Sequence, residues 1–563
     1  MNTASSPYMG TPVQIDTGTR GEIANARLIA HGQQLERKLH KVTDRIYCQL
    51  GTCLGNSSMI LGERGMIVVD TGDCIEQSTE QLQDFRSVSD RPVTALVYTH
   101  NHYAMGSRTY VPAGNDDLLP IYAHKDMLQI MTRTLGDLAP FMTRRVAMQF
   151  GMFLPADGPD AMPNQGLGKV FFELDRYRPT PGFVRPNRLI DDGQEEVIDG
   201  VRFQFWHHAA DSEDTVLIWL PEHKTVINNI AWPVMFNIYT LRGEMFRNPL
   251  RLLPGLDRIL SLEPEHLVGV HGVPISGREA IRQAVTEYRD CIQFIYDQVC
   301  RGINLGMSPD QLVDFVRLPE ALANGRLTGQ FYGELPFYVR QIYAGLVGWF
   351  GNDTVELHAL PRAQANARWV ELAGGVEQAL EQARTAFGKR EFAWCAELAT
   401  AVLASQPGSA DARQIKADAL RAMGQVTTAA NTRSWLLTQA RELEGLTDTF
   451  RLPISFVNTT TVTQLPPGTY VNALRFKLSP DLSASGAKVV RLVLAGSSAF
   501  DLHLRNGVVE VREAAPQRAC DCEIELAFDD WAKLNGGGKS SVDATAFKIS
   551  GDADLAGKII EAI

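Results

Sequence analysis

The feature that most constrains this chain is the run Met66-Ile67-Val68-Val69-Asp70-Thr71-Gly72, followed by the polar, helix-like CIEQSTEQLQDFRSV and then by VTALVYTH. A β-branched apolar run closed by Asp and Gly reads as a strand buried on both faces. Two such strands joined by a helix-length crossover form a parallel βαβ unit, whose strand ends open on one edge of the sheet. The second strand runs straight into His100 and His102, so the expected class is α/β with a site at that edge.

At 563 residues the chain exceeds what one core supports, and several domains are expected. Short strands recur in RIYCQL and SSMILGE, then in VRFQFWHH, DTVLIWLPE and KTVINNIAW between about 188 and 240, and in HLVGVHGVPISG. A helix is expected over about 278–298, and the first domain, 1–355, closes near 355. From Pro361 apolar residues recur three and four apart, which predicts helical hairpins in a domain at 356–445. The remainder, 446–563, reads as a small α+β domain, with strands at TYVNALRFKLS, AKVVRLVLAG, DLHLRNGVVEVRE and CEIELAFDD and helices near the end.

A net charge of −11 without basic runs argues against nucleic-acid binding. With no apolar stretch near twenty residues and no signal-type N-terminus, no membrane span is expected and the location is read as cytoplasmic. Eight scattered cysteines do not make a disulfide scaffold, and Cys520 and Cys522 read as strand residues rather than as a metal clamp.

The chemistry lies in Thr99-His100-Asn101-His102-Tyr103-Ala104-Met105-Gly106. Two histidines separated by one residue in an extended turn after a strand offer two imidazoles to one cation.

IVVDTG followed by VYTHNH resembles the metallo-β-lactamase superfamily, whose usual signature is T-H-x-H-x-D-H. That resemblance implies an αββα sandwich. Where the family places Asp and His for a second metal, this chain has Ala104 and Met105. The family's third ligand falls on Asp211, ten residues before Pro221, although the acidic D-S-E-D also reads as a solvated turn. The bridging carboxylate expected near 228–230 is missing, with Ile230 at the assigned position. His271 matches the last family histidine and, without partners, is expected as a hydrogen-bonding or acid/base group. If the register were wrong, Asp73, His207 or His208 would supply the missing ligands.

Within that superfamily the chain most resembles the alkyl sulfatases, through FNIYTLRG, IYAGLVGWFGND, ARWVELAGG and NTRSWLLTQARELEG. The resemblance implies that Asn237, Tyr239 and Arg242 line an anion pocket, that the helical domain makes a homodimer, and that the last domain is a sterol-carrier-like module suited to amphiphiles. The expected function is hydrolysis of an amphiphilic sulfate or related ester, with one divalent ion, zinc, held by His100, His102 and Asp211 and with catalytic His271 and Arg242. Two histidines and one carboxylate are also the ligand set of non-haem iron(II) oxygenases, which is one alternative; a non-catalytic amphiphile-binding protein is another.

Overall fold

Side chains alternate across a strand, and the defining run uses both of its faces. In the computed structural model, which describes residues 6–135, 138–484, 486–515 and 517–563, Met66–Val69 is the fourth strand of a seven-stranded sheet. Ile67 and Val69 face one way, with Ala95 and Val97; Met66 and Val68 face the other, with Leu96 and Tyr98. The strands Met66–Val69 and Val93–Val97 pair in parallel across the helix Ile75–Arg86, as the sequence predicts.

A second sheet of six strands runs in the order Glu195–Ile198, Val201–His207, Val216–Leu220, Thr225–Asn228, His266–Gly269, Ile275–Ser276. Its inner face presents Phe203, Phe205, Ile218, Ile227 and Val268 to Ile67, Val69 and Val97. Burying each such side chain contributes about 1.5–3 kcal/mol, so the sheets stay stacked. Helix Ile75–Arg86 covers the outer face of the first sheet through Phe85, joined by Met127 and Met131. Helices Pro249–Leu262 and Arg278–Asn304 cover the second through Leu256, Ile259, Tyr288 and Ile292. This is the expected αββα sandwich, with the last of these helices running to Asn304, beyond the expected end, because Val299 and Gly302 continue its buried stripe.

The sheets are stitched together at the end that carries the histidines. The Val216 amide donates to the Thr99 carbonyl at 2.8 Å, and the Asn56 amide to Val270.

Helices Arg362–Leu372, Val376–Gly388, Phe392–Ser405, Ala410–Val426 and Ala430–Leu443 follow, packed through small Ala-rich seams. Arg433, fully buried in the last of them, donates to the carbonyls of Ile23, Gly424, Pro159 and Ala161 and ties this layer to the N-terminal segment.

Near the C-terminus a five-stranded sheet is backed by helices Gly468–Lys477, Phe528–Gly537 and Ala553–Ala562. Here one expectation fails: TYVNALRFKLS is a helix, not a strand. Tyr470 and Val471 favour strands, but Val471, Leu474 and Leu478 lie at helical spacing and bury one stripe on the sheet. Cys522 opens a strand as expected, whereas Cys520 sits in the loop before it. All eight cysteines are free. No helix among the described residues is long and apolar enough to cross a membrane.

Candidate metal centre and anion pocket

His100 follows the strand Val93–Val97 in extended conformation, and residues Asn101–Tyr103 then make a 3-10 turn rather than the extended one expected. The turn brings the imidazoles of His100 and His102 to 4.8 Å, ring centre to ring centre.

Buried hydrogen bonds fix the tautomer of His100. Thr99 Oγ1 donates to Asp70 Oδ2 at 2.7 Å, so it accepts from His100 Nδ1 at 2.9 Å. The Nε2 lone pair is left buried and without a hydrogen-bond partner, 3.7 Å from Asp211 Oδ1. Burial pushes His100 down to about 3, which keeps this ring neutral. Asp70 is held in a left-handed conformation at φ 60° and accepts from the Thr99 amide as well, which orients the relay.

Asp211 is buried, not a solvated turn. Its Oδ2 lies 3.0 Å from His102 Nδ1, and its Oδ1 accepts from the Asn229 amide. Burial opposes its charge, but the two imidazoles and Arg247 outweigh that and hold the carboxyl well below the usual range. One donor atom from each of His100, His102 and Asp211 lies within 4.8 Å of the others. A neutral imidazole with an orphaned lone pair, a second imidazole and an ionised carboxylate suit a divalent ion. The Asp70–Thr99–His100 chain is the kind of outer support that orients a ligating ring.

The other half of the constellation is closed by organic hydrogen bonds. His271 Nδ1 donates to the Leu54 carbonyl at 3.0 Å, leaving Nε2 to accept from Tyr103 Oη at 3.3 Å. Burial lowers His271 to about 4. Ala104 is buried beneath the first sheet's outer core, and Met105 is a partly buried apolar side chain packed against the same core. Next to Asp211 stands Asn229, not Ile230. Ile230 is buried in the core near Gly255, where the chain turns after the strand as the Asn228 side-chain oxygen accepts from the amides of Ile230 and Ala231. Asn229 is locked as a donor to Asp211, because its own oxygens accept from Trp232 Nε1. His207 stacks on His124 at 4.3 Å and does not join the site.

The triad reaches a cavity of about 180 Å³ through His102 and Asp211, while His100 is buried and outside the lining. His102, Asp211, His271, Asn237 and Arg242 line it, and Phe150, Phe171, Phe172 and Phe456 supply an aromatic wall. Tyr239 is not brought to the lining; it packs half-buried against the second sheet's core. The loop with Arg242 is pinned by Gln149, whose Oε1 accepts from Thr240 Oγ1 and the Arg242 amide. Gly243, at φ 95°, completes the turn.

Sequence reasoning missed Arg247 and Glu244, which line the cavity; Asp73, which it offered only as a fallback ligand, lines it too. Arg247 is buried and donates to the carbonyls of Asn237 and Asp211 at 2.7 and 2.9 Å, five residues after Arg242 in LRGEMFRNP. A second arginine so near the first is the signal that could have found it. Asp73, directly after the Asp-Thr-Gly turn, has a buried unpartnered Oδ2, and burial raises it to about 8.

A family model described as alkyl sulfatase dimerisation matches residues 308–445, opening upstream of the boundary expected near 355. A linear primary-alkylsulfatase from a Pseudomonas species (strain ATCC 19151) is 32% identical over 476 residues, covering 81% of this chain and 88% of that protein. An alkyl/aryl-sulfatase from Saccharomyces cerevisiae is 27% identical over 421 residues, covering 72% of this chain and 64% of that one. Among solved structures, a stereoselective inverting sec-alkylsulfatase from a Pseudomonas species superposes with a TM-score of 0.85 at 21% identity, covering 100% of this chain and 94% of the other.

Proposed function

From the premise that the chain belongs to the alkyl sulfatase family and is a hydrolase of the metallo-β-lactamase fold, we propose that it cleaves sulfate esters of medium-chain alcohols with a single divalent ion, zinc, held by His100, His102 and Asp211. The observation that carries this reading is the convergence of the three donor atoms beside a cavity lined by both arginines and phenylalanines. Membership of a hydrolase family removes the support for the oxygenase and binding-protein alternatives.

A bound zinc ion supplies a water acidic enough to act as nucleophile near neutral pH. The chain's own residues do the remaining work. Arg242 and Arg247 face the sulfate oxygens with charge-assisted donors, and Asn237, whose Oδ1 is buried and unpartnered, borders the same corner. The aromatic wall takes the alkyl chain and excludes water from the ester. Tyr103 keeps its proton, since burial raises its pKa further, and donates it to His271 Nε2, which leaves the phenol oxygen able only to accept from a bound group.

The homodimer reading draws on the matched dimerisation region and on apolar side chains exposed there, Trp349, Val355, Trp369 and Leu372. Residues 356–445 are proposed as the dimerisation domain and 446–563 as an amphiphile-handling module.

The test is release of inorganic sulfate from octyl sulfate by zinc-loaded protein, together with elemental analysis. One ion per chain, with activity lost on chelation and regained with zinc, is the expected result. Two ions per chain overturn the single-metal reading, and zinc-loaded protein that leaves alkyl sulfates intact overturns the substrate.

A further inference from the structure

The anion side of the cavity already contains an anion. Glu244 Oε2 lies 3.1 Å from Arg242 Nη2 and 3.8 Å from Arg247 Nη2. All three side chains are largely withdrawn from water, with exposures of 12% for Arg242, 6% for Arg247 and 25% for Glu244. The arrangement is built rather than incidental. Gln149 holds the Arg242 amide, Arg145 caps the carbonyls of Leu241 and Arg242, and Arg247 is fixed by the carbonyls of Asn237 and Asp211. Glu244 and Arg247 also line a second groove beside His102, so the carboxylate borders both openings.

This placement changes the charge that a substrate meets. Whatever else the site holds, the resident carboxylate lowers by one the positive charge beside the two guanidinium groups, and so disfavours the second negative charge of a dianion relative to a monoanion. In a cavity with aromatic walls, a like charge brought beside that largely withdrawn carboxylate is poorly screened. We propose that Glu244 is a charge selector. It admits monoanionic esters such as sulfate monoesters and rejects dianionic ones such as phosphate monoesters, which have the same tetrahedral shape. Shape cannot make this distinction, because both head groups present three terminal oxygens; a fixed negative charge can. The inference rests on the reading of this cavity as an alkyl ester site.

The test uses the zinc-loaded full chain and two ligands that cannot be hydrolysed: octanesulfonate, a monoanion, and octylphosphonate, a dianion above its second ionisation. Their affinities are measured by calorimetry above that pH. Wild type should prefer the sulfonate. In Glu244→Gln the preference should fall by about tenfold or more, through tighter binding of the phosphonate. Glu244→Asp, which keeps the charge, should keep the preference. Wild type alone gives an independent readout: phosphonate affinity should rise as the pH is lowered through the ligand's second ionisation, with sulfonate affinity changing much less.

Equal changes for both ligands in the glutamine variant, or a phosphonate affinity indifferent to the ligand's ionisation, overturn the selector. Wild type that binds neither ligand overturns it together with the anion pocket. Wild type that discriminates between the ligands yet leaves octyl sulfate intact supports the selector and sinks only the hydrolytic reading.

Discussion

The two halves of the histidine cluster are built from the same residue types and differ in what their nitrogen atoms have been given to do. On one side, His100 uses Nδ1 in a relay to Thr99 and Asp70 and keeps Nε2 buried and unpaired, facing an ionised Asp211. On the other, His271 spends both nitrogens, Nδ1 on the Leu54 carbonyl and Nε2 on Tyr103. A buried nitrogen without a partner costs free energy unless something binds it, so the first half is poised for a cation and the second is satisfied without one. The presence of a histidine does not make a metal ligand; the state of its hydrogen bonds does.

The comparison breaks most readily at His100. Replacing His100 or His102 by Ala removes a third of the proposed donors, and elemental analysis should find the metal lost from both variants. Full metal content in both would place any ion elsewhere.

Arg242→Ala tests the pocket beside the metal half. Binding of an alkyl sulfate should weaken by about 2–4 kcal/mol, because a buried charge-assisted pair loses its donor, while a neutral octyl ester should change far less. Equal losses for the two ligands would mark the arginine as structural.

Thr99→Val preserves shape and deletes the relay between Asp70 and His100. Zinc affinity should drop by about 10–100-fold in a competition titration with a chromophoric chelator. Tyr103→Phe, the matching deletion on the other half, should leave zinc affinity unchanged, and a comparable loss there would erase the distinction between the halves.

The last prediction concerns acid. His271 is depressed to about 4 from an ordinary value near 6.5, so the folded state prefers the neutral ring. Below about pH 6.5 the unfolded chain takes up a proton that the folded chain refuses. Its contribution is therefore present above about 6.5 and is lost as the pH falls toward about 4. In metal-free protein, His271→Asn should flatten the fall of unfolding free energy across that window by at most about 1.4 kcal/mol per pH unit, read by urea denaturation. An unchanged slope would mean that the ring does not titrate there on unfolding.

The sequence by itself determined the βαβ unit and pointed to the His100–His102 pair, because these rest on period, turn residues and spacing at one strand end, whereas the two-sheet sandwich and Asp211 were implied by the family resemblance. Local signals misled where two periods compete, as at Gly468–Lys477, where strand-forming residues are overruled by a helical stripe that must be buried. Register beyond a strand end was also out of reach: a shift of one residue exchanges Asn229, which touches Asp211, for Ile230, which fills the core. Only the tertiary structure decided that Tyr239 turns away from the cavity while Glu244, Arg247 and Asp73 turn into it. The positions of Tyr239, Glu244 and Arg247 depend on how their loop is pinned by Gln149 and Arg145, residues about a hundred positions away along the chain, and no local pattern encodes contacts of that range.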